Sequence, residues 1–565
     1  MATNADRIIE MLQAAGVERL FGMPGGGSNA DLIEAAGNLG LPFSLAHTET
    51  ASAFMACAQA EITGKPGACL ATLGPGAASL MNGIAHAHLD RVPLFVLTDC
   101  LGEPGAQVMR HQALRHGEMF STVVKWSARP APGETGETLK GALQAVSSLP
   151  PGPVHLDLSS EVTSSAVLCD PSTQPVAGVC GAGTRAGTCA CRAVTPHETR
   201  LGAWRTATGL DEGAIPPDFQ QILHQSRHPV FLIGLGAKSR PTATAIREVC
   251  ERLGIPALVT YKAKGVVPDR HPWFGGVFTN AALESNVLDR ADLFVAIGLD
   301  PVELLPRPWK FRQPLISISG WPMEPSQIPV ELELVGDVVS SVHTVAACLT
   351  ESHWESVELL RLVEKQRERM RPALPNPTGS ALLPHRVVEL VAEAYPGVRA
   401  TVDAGAHMFP VMTLWPAEEP SGVLISNGLS TMGFALPAAI GAALLAPSRP
   451  IVVFTGDGGL LMCAGELRTA ARERLPLRII VFQDNELSLI KIKQEQRGYR
   501  TDGVSIGEID WRWVANGFGV RADDALTETH LRSSLHQTAD HPGPVLIAAK
   551  ISAGTYAATM RALRG

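Results

Sequence analysis

The sequence predicts an α/β protein made of three doubly wound, parallel-sheet domains. Three observations carry that expectation. Runs such as VPLFVLTDC, ADLFVAIGLD and IVVFT are apolar throughout rather than alternating, the pattern of strands covered on both faces. Segments of helical period separate these runs along the chain, so successive strands are joined by crossovers and lie parallel. The 565 residues, 45% of them hydrophobic, are enough for three cores of ordinary domain size.

The first unit covers residues 1–165. A helix over 5–16 leads to a strand at 19–23, and the loop PGGGSN precedes a helical segment over 30–39. HTETASAFMACAQAEITG reads as a helix, ACLATL as a strand, GPGAASLMNGIAHAHLD as a loop plus helix, and VPLFVLTDC as the next strand. The second unit covers 214–350: HPVFLIGLGAKSR is a strand and glycine turn, ATAIREVCERLGIP a helix, and ADLFVAIGLD a strand. A charged helix over 354–370 and the Pro-rich joint RPALPNPTG form a helical linker over 351–379. The third unit, 380–565, holds RATVDAGAH, SNGLSTMGFALPAAIGAALLA and the closing strand PVLIAAKIS. No short-period repeat is present.

Residues 166–213 are expected to form an irregular linker, rich in Gly, Ala, Thr, Arg and Cys and without either period. Four of the ten cysteines, Cys169, Cys180, Cys189 and Cys191, cluster there. One Cys-x-Cys without a second spaced pair is a poor zinc signature. The abrupt change of composition also admits a local reading-frame error in the gene. Cys57, Cys69, Cys250 and Cys463 sit in apolar segments, as buried free thiols do.

The formal net charge is −8 and no basic stripe stands out, which argues against nucleic-acid binding. No apolar run reaches the ~18 residues of a membrane span, and MATNADRIIEML does not read as a signal peptide. The expectation is a cytoplasmic protein.

The chemistry concentrates in VVFTGDGGLLMCAGELRTAARERLPLRIIVFQDN, where Asp457 and Asp484 are 27 residues apart. IVVFT is a strand, GDGG a loop at its end, LLMCAGELRTAARERL a helix and LRIIVF the next strand. A right-handed crossover puts both strand ends on one edge of the sheet, so the two aspartates meet at a rim where open α/β sheets bind ligands. Gly456, Gly458 and Gly459 let backbone N–H groups approach an anion, beside a helix start. Two carboxylates next to an anion require a cation, and hard oxygen ligands with phosphate describe Mg²⁺. The rim is therefore expected to hold a diphosphate through a divalent metal.

This stretch resembles the thiamin-diphosphate (thiamine pyrophosphate) motif of the acetolactate synthase, pyruvate oxidase and benzoylformate decarboxylase superfamily: GDG, a spacer, then Asn-Asn. The resemblance implies metal ligation by Asp457, by Asp484, and by the backbone carbonyl of Glu486. Gln483-Asp484 replaces Asn-Asn here, and Asn485 is the alternative register. Glu49, in a segment similar to the family's HxExxA pattern with His47, Ala53 and Ala56, is implied to exchange a proton with the cofactor's pyrimidine N1′. Burial is expected to help Glu49 hold that proton. SNGLSTMGFALPAAIGA resembles the pyrimidine-side loop, with Met432 beneath the cofactor and Ser430 and Met432 binding it. DAGAH resembles a diphosphate contact and makes His407 a candidate. GMPGGGSN, with Pro24 and Gly25, resembles the PGG loop on the substrate side. TLGPG, with Gly74, resembles the TxGPG turn, and Gln112 of HQ is placed to reach the substrate.

The three units are thus implied to be a pyrimidine-binding, a central and a diphosphate-binding domain. The implied activity is thiamine diphosphate- and Mg²⁺-dependent decarboxylation of a pyruvate-like 2-keto acid with carboligation to a second carbonyl. A benzoylformate decarboxylase-type enzyme that releases an aldehyde and a non-catalytic cofactor-binding paralogue are the alternatives. Few proton donors near TLGPG favour carboligation. GLGAKS is similar to the turn where some members bind FAD, but LDPVELLP replaces the arginine-rich signature, which argues against FAD. The resemblance also implies a homodimer or homotetramer with active sites between chains.

Overall fold

The computed structural model describes residues 2–102, 105, 108–167, 205–208, 215–374 and 382–565. The cysteines at 169, 180, 189 and 191, and most of the expected linker around them, lie outside the described residues.

Among the described residues, three sheets of six, seven and six strands form three α/β domains, and every pairing within these sheets is parallel. The first sheet runs, in space, Phe43–Leu45, Leu20–Met23, Gly67–Ala71, Leu94–Asp99, Pro153–Leu158, Trp126–Ala128. The third runs Val423–Ile425, Arg399–Val402, Ile451–Gly456, Leu477–Gln483, Val545–Lys550, Arg521–Ala525. Counted within its own domain, each has the strand order 2-1-3-4-6-5. Leu94–Asp99, Pro153–Leu158 and Leu477–Gln483, in the middle of these sheets, are buried along their whole length, as strands covered on both faces are. In both sheets the chain changes direction between its first and third strands, and the loops leaving those strands flank the crevice at that point. The segments leaving those strands are PGG and TLGPG in the first domain, and DAGAH and the strand-to-helix junction GDGG in the third.

The middle sheet has the order 3-2-1-4-5-6 counted from Pro229–Ile233, with a further edge strand, Arg205–Thr208, paired to Leu332–Val335. That edge strand falls inside the segment expected to be irregular. Four residues can join an exposed sheet edge through backbone hydrogen bonds alone, without a periodic side-chain pattern.

Two local expectations are corrected. GDGG is not a loop: Gly456 ends its strand and Asp457 opens a helix directly. The helix expected over LLMCAGELRTAARERL is two helices, Asp457–Cys463 and Glu466–Arg472, broken at Ala464–Gly465. A Cβ on Gly465 would lie 3.3 Å from the Cβ of His47, so the break lets the first domain approach closely.

Helix Ala435–Leu445 (ALPAAIGAALL) is buried along nine of its eleven residues. It packs on helix Glu49–Thr63 so tightly that a Cβ on Gly441 would lie 2.2 Å from the Met55 carbonyl oxygen. Gln59 Nε2 donates to the Gly441 carbonyl at 3.0 Å. One apolar core spans both domains through this pair. Among the described residues, no helix is long and apolar enough to cross a membrane.

Candidate active site

In the third domain, His407, Ser430, Met432, Gly456, Asp457, Gly458, Gly459, Asp484 and Glu486 line one cleft of about 730 Å³. Its scaffold is Asp403, fully buried at the end of Arg399–Val402. Asp403 Oδ1 accepts the backbone N–H groups of Phe434 and Ala435, both at 2.8 Å, and Oδ2 accepts the Thr455 hydroxyl at 2.7 Å. One side chain thus fixes three motifs together. Gly459 must be glycine, because a Cβ there would lie 2.3 Å from Asp403 Oδ2. Gly458 is tight as well: its Cβ would meet Leu487 at 2.9 Å and Met432 Cε at 3.2 Å. Ser430 sits at φ +52°, a left-handed conformation uncommon outside glycine.

Asp457 accepts the N–H groups of Gly458 at 2.8 Å and Asn485 at 2.6 Å. Burial raises its pKa. Burial, and then the neighbouring Asp457 carboxylate, push Asp484 up to about 6 despite a hydrogen bond from Ser488. Lys491 pairs with the Glu486 carboxylate, both contacts at 2.7 Å, which leaves the backbone carbonyl as the group Glu486 can offer the cleft. The carbonyl of Asn485 is taken by the N–H of Ile506. The Asn485 side chain receives Gln483 Nε2 at 3.2 Å and does not line the cleft. His407 stacks on Phe482 at 5.2 Å, and its buried Nε2 has no partner among the described residues. Burial lowers its pKa to about 3, so the ring is neutral at physiological pH.

The other candidates gather at the rim of the first domain. A Cβ on Gly25, next to Pro24, would lie 2.4 Å from Thr72 Oγ1. A Cβ on Gly76 would lie 3.1 Å from Glu49 Oε1, and one on Gly74 would lie 2.8 Å from Gln112 Cβ. The TLGPG turn therefore lies between Glu49 and Gln112. Glu49 opens its helix and is half-buried in the single chain rather than buried. The reason is its place at a domain rim. None of Glu49, Pro24, Gly25, Gly74 or Gln112 lines the cleft that holds Asp457.

Several residues escape the sequence reading. Glu466, 1% exposed, accepts the N–H groups of His47 at 2.8 Å and Thr48 at 3.2 Å, so the GDG-side helices anchor the segment leading into Glu49. Its only signal is an acid inside an otherwise apolar helix face. Tyr556, from the C-terminal helix, walls the cleft and gives no signal.

The middle domain has its own crevice, between Pro229–Ile233 and Leu293–Ile297, where dinucleotide pyrophosphates bind in sheets of this order. Here it is filled from within. Glu303 Oε2 accepts the N–H groups of Leu235 at 2.9 Å and Asp300 at 3.1 Å, and its Oε1 bonds to Thr260. The two loops also join directly, Gly236 N–H to the Gly298 carbonyl at 2.8 Å.

Comparison with known proteins agrees with this division. Residues 2–118 match the family "Thiamine pyrophosphate enzyme, N-terminal TPP binding domain". Residues 217–345 match its "central domain" and 403–549 its "C-terminal TPP binding domain". Similar proteins include the catabolic acetolactate synthase of Raoultella terrigena, 28% identical over 97% of this chain and 94% of that protein. The acetolactate synthase isozyme 1 large subunit of Escherichia coli is 26% identical over 98% and 94%. The acetolactate synthase of Bacillus subtilis is 26% identical over 96% and 92%. Three domains of one family, matched in order over most of the chain and carrying the cleft and rim described above, make this protein a member of the thiamine pyrophosphate enzymes.

Proposed function

We propose that the protein is a thiamine diphosphate- and Mg²⁺-dependent, acetolactate synthase-like enzyme that decarboxylates a pyruvate-like 2-keto acid and joins the remainder to a second carbonyl. The observation that carries this reading is the meeting of Asp457 and Asp484 beside a floor of glycines. Two neighbouring carboxylates with raised pKa values suit a cation, and the buried His407 Nε2, without a partner among the described residues, suits an acceptor. A metal diphosphate satisfies all three. Asp457, Asp484 and the carbonyl of Glu486 would hold Mg²⁺, in the register with Asp484 rather than Asn485. Neutral His407 would donate from Nε2 to a phosphate oxygen. Met432 and Ser430 would receive the pyrimidine.

Bound thiamine diphosphate supplies the carbanion equivalent that amino-acid side chains lack, and so lets CO₂ leave a 2-keto acid. Glu49 holds the proton exchanged at the pyrimidine N1′. Gln112, exposed beside Gly74, orients the substrate by hydrogen bonding without offering an acidic proton. His116, the histidine bonded to this turn, is buried and engaged at both ring nitrogens, which favours carboligation over protonation to an aldehyde. Because the Glu49 rim and the Asp457 cleft are separate within one chain, the complete site is assigned to two chains of a homodimer or homotetramer. A cytoplasmic location accompanies this reading.

FAD does not fit the middle crevice, whose N–H donors are already occupied by Glu303, and no role is assigned to it. The test is a product assay on purified protein with pyruvate, thiamine diphosphate and Mg²⁺, measuring CO₂, acetaldehyde and acetolactate together. Acetolactate is expected, from a protein without flavin absorbance. Acetaldehyde as the main product would overturn the carboligase reading.

A further inference from the structure

The TLGPG turn is held from below by a buried hydrogen-bond chain that no catalytic motif contains. The Gly74 N–H donates to His116 Nε2 at 3.2 Å. A ring nitrogen that accepts carries no proton, so the His116 proton is on Nδ1, which donates to Asp157 Oδ1 at 2.9 Å. The Thr98 hydroxyl donates to the same Asp157 oxygen at 2.8 Å. Thr98 must then accept from His155 Nε2 at 2.7 Å, and His155 Nδ1 must accept from the Ser127 hydroxyl at 2.8 Å. Every donor in the chain has one direction. His116 is 2% exposed, His155 0% and Asp157 6%.

What the chain holds is unusual backbone. Gly74 has φ +62° and ψ −104°, a region side chains other than glycine's avoid. Gln112, in contact with it, has φ +59°. Two neighbouring residues outside ordinary backbone regions persist only where their surroundings over-determine them. The Gly74–His116 bond is a buried polar contact that does so at the turn.

We propose that His116, locked as the Nδ1–H tautomer by Asp157, is a positioning residue: it fixes Gly74 and thereby places Gln112 toward the substrate. The assignment rests on the proposed function only where it speaks of substrate. His116 and Asp157 come from a short helix and a strand end 41 residues apart, so no local spacing reveals them.

Two variants separate the two bonds of the ring. H116Q keeps an acceptor near the Nε2 position, whereas H116N keeps only a group near Nδ1. Hydrogen–deuterium exchange of the full-length protein with thiamine diphosphate and Mg²⁺ reads the turn without any assay of activity. In wild type the peptide spanning Gly74 exchanges slowly. In H116N it exchanges about tenfold faster, the scale of one lost buried hydrogen bond, and H116Q recovers most of the protection. In parallel, KM for pyruvate rises about tenfold in H116N and less in H116Q, with cofactor affinity unchanged in both. Fast exchange at Gly74 in wild type, or equal behaviour of the two variants, overturns the proposal. If wild type turns over no pyruvate, the 2-keto acid reading fails by itself and the exchange comparison still decides the role of His116.

Discussion

Replacing Asp403 with alanine should cost the third domain more than any single change at the cleft surface. The carboxylate is fully buried and accepts three hydrogen bonds between 2.7 and 2.8 Å. D403A orphans the N–H groups of Phe434 and Ala435, whereas the Thr455 hydroxyl keeps the Gly456 carbonyl, at 3.1 Å, as acceptor. Each buried orphan costs about 1–3 kcal/mol, so the gross loss for two is roughly 2–6 kcal/mol. Removing a desolvated carboxylate returns part of that, since burying a charge costs several kcal/mol. A net loss of about 2–4 kcal/mol remains. D403N keeps the shape and still accepts both N–H groups, while the Thr455 hydroxyl can turn to accept, so it should cost only about 1 kcal/mol. Urea unfolding followed by fluorescence of Trp415 and Trp511, both buried in this domain, gives the stabilities. Titration with thiamine diphosphate gives the cofactor affinity, which should fall in D403A because Gly459 rests against Asp403. The reasoning is refuted if D403A loses less than about 1 kcal/mol, or if D403N is as damaging as D403A.

Gly441→Ala forces a methyl toward the Met55 carbonyl at 2.2 Å, where backbone cannot yield; a loss of about 1–3 kcal/mol is expected in thermal unfolding, and an unchanged Tm would contradict the close helix contact. Glu303 holds its proton up to about 8 because of burial, whereas the unfolded chain ionises near 4.5. Its stabilising effect is therefore complete below pH 4.5 and is lost as pH rises through 8, by a few kcal/mol at most. E303Q should flatten the decline in stability that wild type shows as pH rises from 4.5 to 8, and equal slopes would show that Glu303 is not its source. E49Q should abolish turnover of the 2-keto acid while leaving cofactor binding nearly intact; full activity in that variant excludes the assigned proton exchange.

The strands and the cleft are legible in the sequence because they depend on local patterns. IVVFT runs into GDG, and LRIIVF ends beside Asp484, so one crossover rule brings the aspartates together without any knowledge of packing. The first and third domains are legible as α/β units, but their common strand order is not, since no spacing encodes which strand lies beside which. The residues that escape share a physical character. Asp403, Glu466, His116 and Glu303 each place a buried polar group on the backbone of a distant segment. Asp403 reaches 31 residues along the chain to Phe434, and Glu466 reaches 419 residues back to His47. Such contacts leave no periodic trace. The break at Gly465 escapes for the same reason, because its cause is His47 of another domain.

The helix Ala435–Leu445 has a consequence for how the chain is made. It presents no polar face, and the surface that covers one side of it, helix Glu49–Thr63, is synthesised hundreds of residues earlier. A terminal domain expressed alone would leave a strip of alanine, leucine and isoleucine bare to water, an invitation to aggregate. During translation the first domain is complete before the helix that packs on its face in the finished core has been made. Truncation or permutation of this chain is thus constrained by this one seam, and the two ends of the polypeptide mature as one cooperative body.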